Sequence, residues 1–127
     1  MDLNSVVRHL NAGEQWGFVK PTGDPEYLGW ILLRKRRPRL TSFDPIEEPT
    51  EYKRSLQQSK EVEERPYHLF VIELRRDVHE AGDYPFQEDY RLRKSYYLGS
   101  LDEVKHELQG MGFSLCNALP RSELDAP

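Results

Sequence analysis

The chain has 127 residues and a mass of 15.0 kDa, with 31% charged and 37% apolar residues and a mean hydropathy of −0.80, which suits one domain with a modest core and at least one long solvated segment. A formal net charge of −4 and a pI near 5.6 exclude wholesale attraction to nucleic acid or to an anionic membrane, so any such attraction has to be local. A single cysteine excludes a disulfide framework and a thiolate metal cluster within one chain, and no apolar run approaches the ~20 residues of a spanning helix.

Residues 2–12 place Leu3, Val6, Val7 and Leu10 at helical spacing, with Asp2 or Asn4 to cap the start and Gly13 to end it. Residues 16–19 and 27–33 are short apolar strands around the turn Pro21-Thr22-Gly23-Asp24-Pro25, which predicts a hairpin. Arg34, Lys35, Arg36, Arg37 and Arg39 follow, and Pro38 interrupts them. Residues 38–65 carry a surplus of acid and few apolar side chains. They read as a charged, partly flexible insertion with a helix starting at Thr50 and running to about Glu63.

Residues 67–74 form the most β-prone stretch. Tyr67, Leu69 and Val71 point to one face and Phe70, Ile72 and Leu74 to the other, a pattern that belongs in the interior of a sheet with both faces covered. Residues 77–87 read as loop. In the strand predicted over 89–98, Tyr90, Leu92, Tyr96 and Leu98 take one face and Arg91, Arg93, Ser95 and Tyr97 the other. Ser100 and Glu103 form a capping box ahead of a helix whose stripe is Leu101, Val104, Leu108 and Met111. Residues 113–119 supply a possible edge strand, and 120–127 a loose polar tail. The element order lacks strand–helix–strand alternation. It predicts an α+β domain over 1–119: a mainly antiparallel sheet of four to five strands, the N- and C-terminal helices packed on one face.

Chemistry-bearing motifs are sparse. No Walker loop, Gly-x-Gly-x-x-Gly or Gly-x-Ser-x-Gly is present. His68 reads as a packed histidine, Asp77, His79, Glu80 and Asp83 as a solvated acidic turn, and Cys116 as an inert thiol. Glu73-Leu74-Arg75 resembles the Glu-x-Lys half of a metal-dependent nuclease site, but arginine in place of lysine is a poor base. The expectation is therefore a non-enzymatic cytoplasmic protein with no catalytic residue, cofactor, metal, membrane contact or small-molecule ligand. Its function is to bind another macromolecule, foremost a protein partner in a regulatory, inhibitor or immunity-type role, through Asp44, Glu47, Glu48 and Glu51. Self-association through the 113–119 edge ranks with a foreign partner. The alternative is a binder of single-stranded nucleic acid using a basic sheet end, Arg75, Arg76, Arg91 and Arg93 with Tyr97. A metal-dependent hydrolase ranks third. The run Arg34 to Arg39 reads as a solvated strand end, with a phosphate-binding strip as its functional counterpart.

Overall fold

The computed structural model describes residues 2–36 and 62–127. Helix α1 (Leu3–Asn11) starts where the Ser5 N–H donates to the Asp2 carboxylate at 2.8 Å, and Gly13, with φ of 91°, turns the chain out of it. Strands β1 (Trp16–Lys20) and β2 (Tyr27–Lys35) form the expected hairpin. Its turn is held by the Asp24 N–H donating to the Thr22 hydroxyl at 3.2 Å and the Glu26 N–H to the Asp24 carboxylate at 2.9 Å. Gly17 is required on β1. A Cβ there would lie 2.0 Å from the Ile31 carbonyl oxygen.

After the undescribed segment come β3 (Tyr67–Arg75), a short helix α2 (Arg76–Glu80) and β4 (Tyr90–Leu98), then α3 (Leu101–Gly110) and the two-residue β5 (Leu119–Pro120). At the start of α3 the Glu103 N–H donates to the Ser100 hydroxyl at 3.2 Å, while the Glu103 carboxylate accepts from the Gly99 N–H at 2.5 Å. The reciprocal bond thus goes one residue further back than a strict capping box.

The five strands make one antiparallel sheet in the order β4-β3-β2-β1-β5. The fold is α+β, as the sequence predicts. Its middle strand is β2, with β3 beside it and paired on both edges. One face packs Trp16, Phe18, Ile31, Leu33, Tyr67, Leu69 and Val71 under both α1, through Val6 and Leu10, and α3, through Val104 and Leu108. No helix among the described residues is long and apolar enough to cross a membrane.

The second face is apolar at its centre, with Trp30, Leu32, Ile72 and Leu74. No long helix covers it. The last residues of the chain do: Leu124, 2% exposed, sits on this cluster, and the Trp30 indole N–H donates to the Leu124 carbonyl at 2.8 Å. The segment read from sequence as a loose tail therefore carries the plug of the second core. The Arg121 N–H donates to the Gln15 carbonyl at 3.1 Å and fixes where the plug begins.

Two local expectations change. Part of the 77–87 loop is the helix α2. The 113–119 edge strand is replaced by a 3-10 turn at Leu115–Asn117 and the short pairing of β5 with β1, which leaves little edge for a second copy to extend. The helix predicted from Thr50 lies outside the described residues except at 62–64, which are helical.

Truncating Leu124 removes the plug while leaving α1, α3 and all five strands with their own contacts. Leu124→Ala is expected to cost about 2–3 kcal/mol, read by urea denaturation. A change below about 0.5 kcal/mol would mean that the tail carries no part of the core.

Candidate functional site

Strand β4 decides where the charged residues go. Its register against β3 pairs Leu74 with Tyr90 and Glu73 with Leu92, so Arg91 is an extra residue, a β-bulge. The bulge breaks the simple alternation read from sequence. Tyr90 turns to the second face and packs with the Trp30 cluster, whereas Leu92 stays with the helix-covered face.

Arg91 is thereby aimed at Glu73, which is 5% exposed. Its guanidinium donates to both Glu73 carboxylate oxygens, at 2.9 and 3.0 Å from Nη2, while Lys20 Nζ donates to Oε1 at 3.1 Å. Arg91 Nη2 also reaches the Thr22 carbonyl at 3.0 Å, and Nη1 the Asp24 carboxylate at 3.3 Å. The hydrogen bond from Arg91, with Lys20 beside it, holds the Glu73 carboxyl below its ordinary pKa despite burial. This network ties β1, β3, β4 and the 21–25 turn together. It engages both Glu73 carboxylate oxygens with Arg91 and Lys20.

The cations predicted to gather for nucleic acid are mostly neutralised. Arg75 donates to Asp77 at 2.7 Å and lies 3.8 Å from Asp89. Arg76 donates to the Pro25 carbonyl at 2.8 Å and lies 3.5 Å from Glu80. Arg91 belongs to Glu73. Tyr97 is six residues further along β4, about 20 Å at strand spacing. Of the five, Arg93 and Tyr97 share the open face, and they share it with residues the sequence reading kept apart from them.

That open region is the half of the second face away from Leu124. Cross-strand register sets Arg34 of β2 opposite His68 of β3, and His68 opposite Tyr97 of β4. The His68 and Tyr97 rings stack at 4.8 Å with 8° between their planes, and Phe70 lies 5.7 Å from His68. The Arg36 guanidinium lies over the Tyr97 ring at 4.5 Å, and that of Arg93 over Tyr90 at 4.6 Å. Arg34 Nε donates to His68 Nδ1 at 3.2 Å. Because a guanidinium only donates, Nδ1 is unprotonated, and Nε2 carries the proton that it donates to the Ser95 hydroxyl at 2.9 Å. Among the described residues, no carboxylate pairs with Arg34, Arg36 or Arg93.

Beside the stack is a depression of about 260 Å³ floored by Leu32, Phe70, Ile72 and Tyr90, with Arg34, His68 and Arg121 at its sides. Lys35 turns the other way, donating to Asn11 at 3.0 Å. The phosphate-strip reading of 34–39 is thus split: Arg34 and Arg36 join the open face, and Arg37 and Arg39 lie outside the described residues. So do Asp44, Glu47, Glu48 and Glu51.

Among the described residues, no three His, Cys, Asp or Glu side chains are placed to hold a metal ion. His79 packs edge-on against Trp30 and lies 3.4 Å from Asp125, and Cys116 Sγ lies 3.1 Å from the Ser114 hydroxyl. The open face is the arrangement that local structure leaves chemically unspent. No protein-family model, curated protein or solved structure matches the chain.

Glu73→Ala leaves Lys20 and Arg91 facing each other without their shared anion, and is expected to cost about 3 kcal/mol in urea at neutral pH. Since its folded pKa is lowered, Glu73 contributes stability above its unfolded value of 4.5. That contribution is lost as pH falls through the lower, folded value, so wild type and variant should converge in acid. A variant matching wild type at neutral pH would contradict this.

For His68, burial first and then Arg34 and Arg36 hold the pKa below 6.5. The unfolded chain therefore takes up the proton more readily, and stability should fall as pH drops from 6.5 toward the folded value. Arg34→Met should move the His68 proton resonances toward a higher titration midpoint in NMR. An unchanged midpoint would show that Arg34 does not act on the ring.

Proposed function

We propose that the protein binds single-stranded nucleic acid across the open half of its second sheet face. The observation that carries this reading is the cross-strand stack of Arg36, Tyr97 and His68, flanked by Arg34 and Arg93, on a surface where no described carboxylate answers these cations. A guanidinium can grip phosphate in pairs of hydrogen bonds; Arg36 spends Nη2 on the Arg65 carbonyl at 2.6 Å and its Nε is buried, so Arg34 and Arg93 carry most of the anion contact in this reading. A base stacks on this row by displacing Arg36 from the Tyr97 ring, since His68 already covers the other face of Tyr97. Negative net charge is no obstacle. The cations act over a Debye length of about 10 Å, and Glu64, which lines a depression with Arg36, Arg65 and Tyr97, is the described acid nearest to that group of lining residues.

A protein partner for Asp44, Glu47, Glu48 and Glu51 is the competing reading. Those four residues lie outside the described structure, and the two readings separate in one assay. Anisotropy with a labelled single-stranded 12-mer should give micromolar affinity at about 50 mM salt. If three phosphates are engaged, affinity should weaken roughly twentyfold by about 200 mM. Arg34→Glu with Arg93→Glu should abolish binding, whereas exchanging the four acids for their amides should leave it unchanged or tighter. Absence of binding at low salt would overturn the proposal and leave the acids as the surface to pursue.

A further inference from the structure

Resting on that reading, we infer that the phosphate engaged at Arg34 also binds His68, and that His68 takes up one proton from solvent as it does so. Without a ligand the two side chains satisfy each other. Arg34 Nε donates to the His68 Nδ1 lone pair at 3.2 Å, and His68 Nε2 donates to the Ser95 hydroxyl at 2.9 Å. A proton on Nδ1 removes that lone pair and sets two donors face to face. The protonated ring then lacks an acceptor at Nδ1, and an anionic oxygen that accepts from both Nδ1–H and Arg34 Nε–H supplies it. There is space for such a group, because both side chains line the depression of about 260 Å³ and Arg34 is exposed.

The charges around the ring set the direction of the coupling. From β2 come Arg34 and, just past its end, Arg36; after burial, these two guanidinium groups hold the His68 pKa below 6.5, so the ring is neutral at pH 7. From β4 the ring meets the Ser95 hydroxyl and the Tyr97 ring. From the C-terminal segment, Arg121 lines the same depression, with Nη1 on Gln15 Oε1 and Nη2 on the Pro127 backbone oxygen. Glu64 lines a separate depression with Arg36 and Tyr97, and no aspartate or glutamate side chain lines the one at His68. A phosphate brought to this ring offsets the guanidinium charges and raises the pKa that they depress. The imidazolium stays on its stack, where the Tyr97 ring at 4.8 Å and the Phe70 ring at 5.7 Å attract a cation. Because the coupling is reciprocal, a strand that favours the proton is itself favoured by it, and binding tightens as pH falls.

The experiment is anisotropy with a labelled thymine 12-mer, whose bases and phosphodiesters keep their charge across the range used. A rise of one pKa unit on binding equals a tenfold gain below both midpoints, so affinity should climb by up to about tenfold from about pH 7.5 to about pH 5 at constant ionic strength. In His68→Gln the affinity should be flat over that range, which separates His68 from His9, His79 and His106. A measurement on the unaltered protein stands beside the variant: the NMR titration midpoint of His68 should move up by about one unit when the strand is saturating. Binding that does not change with pH, or that changes equally in His68→Gln, would overturn the inference and leave the sheet-face reading intact. So would a His68 midpoint that does not move in the complex. Failure to bind at either pH would overturn both.

Discussion

The fold depends on a sheet that is apolar on both faces while only one face receives the two long helices. Trp16, Ile31, Leu69 and Val71 go under α1 and α3, but Trp30, Leu32, Ile72 and Leu74 on the reverse side must be kept from water by something else. Leaving four such side chains wet would forfeit roughly 1.5–3 kcal/mol apiece, a large share of the stability of a small domain. The C-terminal residues solve this with one leucine and one indole hydrogen bond. Because that cover is short, it protects the middle of the face and stops. The upper half of the face is left to polar and aromatic side chains, and that is where the unanswered cations stand.

The β-bulge at Arg91 sorts charge between the two faces. In unbroken alternation Arg91 would join Arg93 on the open side. The extra residue sends it to Glu73 instead, where the pair closes a network with Lys20 and Asp24. The basic residues of this chain thus fall into two populations. Arg75, Arg76 and Arg91 are bound to acids or carbonyls that shape loops and strand ends. Arg34 and Arg93 rest on His68 and on the Tyr90 ring and have no carboxylate partner among the described residues, while Arg36 lies between the two groups, over the Tyr97 ring with Nη2 on the Arg65 carbonyl. A flat cation stacked on a ring is held in place without losing its charge, and this gives the second population its functional interest.

Much of the architecture was legible in the sequence because continuous apolar, β-prone runs mark β2 and β3 as strands covered on both faces and because Asp2, Gly13, Ser100 and Glu103 mark helix ends by local chemistry. What was not legible has particular causes. Arg-Asp-Val-His-Glu is too short and too polar to announce α2. The bulge has no glycine to signal it, so the faces of β4 came out shifted at Tyr90 and Arg91. Leu124 stands alone among polar residues, and a single apolar side chain gives no period to read. The open face was missed because its members come from three strands: Arg34 looked like a strand end, His68 like a core residue, and Tyr97 like one ring among several. Only the antiparallel register, which sets Arg34, His68 and Tyr97 in one row, makes them neighbours.

The most direct measurement of this account is a map of amide and side-chain NMR shifts as a single-stranded oligonucleotide is added to the labelled protein. The account predicts that perturbations concentrate on Arg34, His68, Phe70, Arg93 and Tyr97 and spare α1 and α3, which lie behind the sheet. Perturbations centred on the helices, or on Asp44, Glu47, Glu48 and Glu51 with the open face silent, would contradict it.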